Sequence, residues 1–215
     1  MKQGVVISTW SGGKDQFECL SNSLNIPTKY GLLVVINDGD NADWISHDFN
    51  GTTGAYKIPY DGFELGALKT ALEITDWDEF ILLQDTFEIL DNDIFDIFFN
   101  NYPNQSVFYG PKKEMFLAKY RREVLEKIKI PTTPTKIESI IQEVEFVKVY
   151  EGVEPFVIFN TRFTDGGASN GKEYRWGREN LVLMDRYLIK RKGTWDLPRQ
   201  MPQEYQDYIN GKYSS

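Results

Sequence analysis

Cysteine and histidine are nearly missing from this 215-residue chain, which carries one of each. A lone Cys19 cannot close an intramolecular disulfide, and no histidine is placed to activate it as a nucleophile. It therefore reads as a buried structural thiol on a helix, in a protein of a reducing compartment. His47, within Ser46-His47-Asp48, reads as a surface-loop residue. Net positive charge is missing too: the formal charge is -8. Tight non-specific binding to a nucleic-acid backbone, which Lys and Arg drive by displacing counterions, is thereby disfavoured. No run approaches the ~18 apolar residues of a membrane span. The apolar start Val5-Val6-Ile7 is too short for a signal-peptide core, so the expected location is cytoplasmic. Internal repeats and low-complexity tracts are absent as well.

What is present is enough apolar sequence, 41% of the residues, to bury one sizeable core. The expectation is a single domain over residues 1–200 followed by a polar tail at 201–215. Charge is unevenly spread along it. Residues 61–100 hold eleven Asp and Glu against one Lys, whereas 110–129 and 172–192 each hold seven Lys and Arg against three acids. Solvated faces explain most such runs. The sharper reading is a site with acids on one wall and bases for an anion on the other.

Hydrophobic periodicity gives the architecture. Val5-Val6-Ile7 reads as a buried strand, and Phe17, Leu20 and Leu24 follow at helical spacing after the Ser11-Gly12-Gly13 turn. Leu32 to Ile36 is a second apolar run, ended by Asn37-Asp38-Gly39-Asp40. Tyr56 to Ile58 reads as a short strand, Leu65, Leu68 and Leu72 as one helical face, and Phe80 to Leu83 as another strand ending at Gln84-Asp85-Thr86. Such alternation predicts an α/β fold with a mostly parallel sheet, helices on both faces, and a ligand beyond the carboxyl ends of the strands. Asp38 and Asp85 both fall at such ends. Beyond residue 100 the expectations are a strand at Val107 to Tyr109, a helix over Phe116 to Ile128, a short helix around Ile137 to Ile141, a strand over Glu145 to Tyr150, and a last helix from about Glu179 to Ile189.

Two resemblances bear on function. Ser11-Gly12-Gly13-Lys14-Asp15 resembles the phosphate loop of the PP-loop ATP pyrophosphatases, with Gln16 where that family carries Ser. A Gly-rich turn at a helix N-terminus offers free N–H groups to an anion. This would make the chain an ATP-binding enzyme. The longer resemblance lies elsewhere. Val5 to Trp10, Cys19 to Leu24, Val34 to Asp40, the Gly62, Gly66, Ala67, Leu68 helix and Ile81 to Thr86 resemble, in order, the opening of GT-A glycosyltransferases related to family 2.

That second resemblance implies a GT-A-like, Rossmann-like domain with a nucleotide-sugar-binding half at 1–100 and an acceptor-side half at 101–200. The implied activity is transfer of a sugar from a nucleoside-diphosphate sugar, UDP-linked, to a hydroxyl acceptor: a saccharide, a protein or a nucleic-acid base. Thr9, Trp10, Asp38, Gly66 and Gln84 would line the donor, with Trp10 offering a stacking face. The family's Asp-X-Asp motif holds Mn²⁺ or Mg²⁺ against the donor diphosphate. Here Gln84-Asp85-Thr86 leaves Asp85 as the metal ligand, so the resemblance implies a weakly held divalent cation. Asp91 and Asp93 read as caps of the following helix. By position, Glu179 is the implied general base with Asp165 and Glu173 as rivals, and Arg175 and Arg178 the diphosphate partners. The missing first acid at Gln84 also admits a nucleotide-sugar-binding module without turnover.

Overall fold

The computed structural model describes residues 1–60, 62–109, 115, 117–132, 136–159, 172–176, 180–184 and 186–191. Its first unit is strand β1 (Gln3–Trp10), helix α1 (Lys14–Ser23) and strand β2 (Gly31–Asn37), with β1 and β2 parallel. Strands β3 (Asp48–Phe49) and β4 (Thr53–Lys57) follow, then helix α2 (Phe63–Ile74) and strand β5 (Glu79–Gln84). Strand β4 lies parallel to β2, and β5 parallel to the other side of β1. Val5, Val6 and Ile7 are at most 1% exposed, as expected of a strand covered on both faces.

Successive side chains of these strands point to opposite faces, and that alternation sorts the core into two layers. Val5, Ile7, Val34, Ile36, Ile81 and Leu83 pack with Leu20 of α1 and with Ile94, Phe95 and Phe98, from helix α3 (Asp93–Asp96) and the π-helical turn Ile97–Asn101 that continues it. Val6, Leu33, Val35, Phe80 and Leu82 pack on the opposite face with Leu65, Ala67, Leu68 and Ala71 of α2. Each such buried aliphatic side chain contributes roughly 1.5–3 kcal/mol, so both helices are held by the sheet rather than by their own propensity.

The sheet is completed by β7 (Val107–Phe108), β8 (Leu117–Arg121) and β9 (Val157–Ile158), in the order β3-β4-β2-β1-β5-β8-β7-β9. Its β4-β2-β1-β5 centre is parallel, while β3 and β8 join antiparallel. A second, antiparallel sheet runs β10-β11-β12-β6, from β6 (Phe87–Ile89), β10 (Lys172–Trp176), β11 (Asn180–Met184) and β12 (Leu188–Arg191). The α/β class, the largely parallel centre and the helices on both faces are as the sequence predicts.

Three expectations are corrected. Leu117 to Arg121 is a strand wedged between β5 and β7, and only Arg122–Leu125 (α4) of the expected helix is helical. Pairing on both sides outweighs the i, i+4 spacing of Tyr120 and Val124. Glu145 to Tyr150 belongs to helix α5 (Lys136–Val153), where Phe146, Val147 and Tyr150 bury one helical face; the apparent strand alternation is incidental. The final helix is replaced by β11 and β12, whose cross-strand pairing the local pattern did not reveal. Cys19 is half-buried rather than buried, and His47 is exposed with its ring edge-on to Tyr56.

Candidate functional site

The chain leaves β1 toward β2 on one side and returns from β4 to β5 on the other. The carboxyl ends of β2, β1 and β5 therefore border the crevice in which open α/β sheets bind ligands. Asp38 lies one residue past β2 and Asp85 one past β5, so two strand spacings, ~10 Å, separate their places on the rim. Their contacts show where they point. Asp38 is bonded to Ser11 and Asp85 to Thr9, with Asp85 also against Gly13, so both acids meet the segment that leads from β1 into α1. Asn37 packs against Gly66 and Gln84 bonds to Glu64, both of α2.

Asp38 is half-buried in the left-handed conformation at φ 50, which aspartate tolerates better than most residues. Its Oδ2 accepts from the Ser11 hydroxyl at 3.1 Å and its Oδ1 from Asn41 Nδ2 at 2.7 Å. The turn role and the rim position thus coincide in one residue. Trp10, at 43% exposed, is one of the few large apolar side chains open to solvent among the described residues, and its ring lies over Gly12.

Asp85 is only 6% exposed, and its Oδ2 accepts from the Thr9 hydroxyl at 2.7 Å. Burial pushes its carboxyl up to about 7; the Thr9 hydroxyl opposes this, Glu64 adds to it, and the Lys190 charge opposes it. A Cβ on Gly13 would stand 2.7 Å from Asp85 Oδ2 and 2.8 Å from Thr9 Oγ1, so glycine is what lets the turn close over this pair. Gly13 N donates to Trp10 O and Ser11 N to Asn37 O, at 2.8 and 3.0 Å. Two N–H groups that a phosphate loop would offer are therefore engaged by the main chain.

On the α2 side, Gln84 Nε2 donates to Glu64, and Gln84 Oε1 accepts from Lys190 Nζ. Gly66 is buried against Asn37: a Cβ there would be 3.1 Å from Asn37 Oδ1, a buried oxygen with no hydrogen-bond partner among the described residues. Gly66 thus stands behind the strand end, in packing contact. Asp91 accepts from the Asp93 N–H at 3.0 Å, bracing the start of α3 as a cap would, and pairs with Arg186.

The structure brings Thr9, Trp10, Asp38, Gln84 and Asp85 to one rim. Arg175 and Glu173 lie in β10, where only the backbone is described; Asp165, Arg178 and Glu179 fall outside the described residues. Sequence reasoning gave Asn37, Glu64 and Lys190 no part in this rim and read Ser11 only as the start of a phosphate-loop-like turn. An acid in the first turn of an otherwise apolar helix was the available signal for Glu64, and the basic run 172–192 that for Lys190. Among the described residues no group of three His, Cys, Asp or Glu side chains could hold a metal ion. Asp85, with a hydroxyl on one oxygen and an amide and a hydroxyl as neighbours, does not by itself make the oxygen-rich site that Mg²⁺ or Mn²⁺ takes.

This doubly wound sheet with an antiparallel sheet beyond its rim is a glycosyltransferase-like fold. It is similar to residues 1–349 of S. aureus TarS solved in complex with UDP, at a TM-score of 0.50 and 12% identity over 74% of this chain and 58% of that one. A second crystal structure of the same segment of TarS matches at 0.50 and 11% identity, with the same coverage. The chain therefore spans little more than half of those structures. No protein-family model and no curated protein matches the sequence. Among the described residues no helix is long and apolar enough to cross a membrane.

Proposed function

We propose that the chain is a glycosyltransferase that moves a sugar from a UDP-sugar to a hydroxyl acceptor. The observation that carries this reading is the pair Asp38 and Asp85, at two strand ends of one rim, flanking the strand whose end bears Trp10. Support comes from the glycosyltransferase-like fold and from the UDP complex of the similar TarS structure.

Trp10 presents its indole to the uracil, and Asp38 accepts hydrogen bonds from base or ribose in exchange for those of Ser11 and Asn41. Thr9 orients Asp85 beneath the donor. Gln84 anchors the far side of the strand end to α2 and to β12. Arg175 and Arg178, from the basic segment 172–192, contact the diphosphate, and Glu179, with Asp165 as the alternative, removes the acceptor proton. The acceptor oxygen attacks the anomeric carbon, the bond to UDP breaks, and the diphosphate carries away the electron pair. Orientation and charge stabilisation supply the acceleration.

Incubating the protein with UDP-sugars should release UDP slowly even without acceptor, measured by a coupled UDP assay. Absence of both release and calorimetric UDP binding would remove the reading. UDP binding without release from any donor would leave a nucleotide-sugar-binding module instead.

A further inference from the structure

A lysine is bonded to the segment in which the sequence resemblance puts a cation. Lys190 lies in β12 directly across from Phe87 of β6 and is 4% exposed, with its ammonium 4.8 Å above the Phe87 ring. Its Nζ donates to Gln84 Oε1 and reaches Thr86 Oγ1 at 3.5 Å. Those residues are the two neighbours of Asp85 in the chain, so the ammonium is held at the Gln84-Asp85-Thr86 strand end, the segment in which the resemblance places a metal.

The amide of Gln84 completes the pattern. Its nitrogen donates to the buried Glu64 carboxylate and its oxygen accepts from Lys190, so one neutral side chain bridges a buried anion and a buried cation. The same positive charge acts on the Asp85 carboxyl, lowering it against the larger effect of burial. The cluster thus already contains its compensating cation. A divalent ion held at Gln84-Asp85-Thr86 would add positive charge to a strand end that already holds a buried ammonium, in a poorly screened interior where like charges repel strongly. Lysine is also a common phosphate partner, acting as a compact point charge.

We propose that this rim binds the nucleotide diphosphate without a divalent cation, with the Lys190 ammonium in the metal's place. The proposal rests on the UDP-sugar reading of the rim and specifies how its anion is met. It also gives the charge asymmetry of the sequence a physical meeting point: the acidic segment 61–100 supplies Glu64 and Asp85, and the basic segment 172–192 supplies Lys190.

Calorimetric titration of the whole chain with UDP, in EDTA and again in millimolar MnCl₂, tests it. The wild type should bind equally in both, within about twofold, and Mn²⁺ titrated alone should give no saturable heat. Lys190→Gln should weaken UDP at least tenfold in EDTA, while Lys190→Arg, which keeps the charge, stays within about threefold. Thermal melts of both variants establish that they are folded, and the wild-type comparison requires no variant. UDP binding that appears only with Mn²⁺ would overturn the proposal and keep the UDP site, as would Lys190→Gln binding like the wild type in EDTA. Wild-type protein that binds UDP in neither buffer would instead sink the functional reading on which the proposal rests.

Discussion

Strand β5 buries an acid near each end, and the two ends treat their acids differently. At its start, Glu79 is 2% exposed and faces Lys119, itself fully buried, at 3.0 Å. Gln3 Nε2 donates to the same carboxylate at 2.7 Å and the Asn104 N–H at 3.2 Å, while Lys119 also donates to Tyr102 O. That charge is directly paired and its hydrogen-bonding capacity largely filled. Past the other end, Asp85 receives one side-chain hydroxyl, and the nearby ammonium bonds to its neighbours instead. The first arrangement closes a structure, whereas the second keeps a carboxyl under tension at a ligand crevice.

The comparison breaks most visibly if the closed end is opened. Lys119→Met leaves Glu79 buried without its counter-ion and should lower stability by about 3–5 kcal/mol, read from the urea midpoint. Residual UDP binding by the folded fraction should be unchanged, because the pair lies at the opposite edge of the sheet from the rim.

At the rim the sign reverses. The folded state raises Asp85 from 3.8 to about 7, so it favours the protonated acid. Its contribution to stability is full below pH ~3.8, falls as pH rises toward about 7, and stays at its least favourable value above that. Glu64 and Lys190 act on this titration from α2 and β12, and Thr9 from β1. Asp85→Asn cannot ionise and can still accept from Thr9. It should therefore be more stable than the wild type at pH 8, by up to about 4 kcal/mol, and nearly indistinguishable near pH 4, measured by paired melts across that range. A variant less stable at pH 8 would show Asp85 to be a paired acid like Glu79.

The smallest effect on folding, and the sharpest on binding, belongs to Trp10. With its indole 43% exposed, Trp10→Ala should change stability by no more than about 1 kcal/mol. If the ring stacks on a base, UDP affinity should drop about tenfold, since base–aromatic stacking is worth roughly 1–3 kcal/mol.

The first hundred residues were legible because their strands are covered on both faces and alternate with amphipathic helices, so short apolar runs and one helical stripe suffice to place them. Asp38 and Asp85 followed from strand ends alone. The later half was misread wherever pairing with distant strands decides the structure: Leu117 to Arg121 owes its extended form to β5 and β7, and β11 and β12 owe theirs to each other and to β6. Lys190 was hidden for the same reason, as 106 positions separate it from Gln84. Glu64 and Gln84 belong to the site through one contact that no local pattern encodes.

Ser11 holds Asp38 and Thr9 holds Asp85, with Trp10 between them. Three consecutive residues, spanning ~10 Å of main chain, therefore grip both acids and the indole. A guest that draws Asp38 away from Ser11 frees that hydroxyl at one end of the short segment whose other end holds the second carboxyl, so the guest gains a new hydrogen-bonding partner beside the indole.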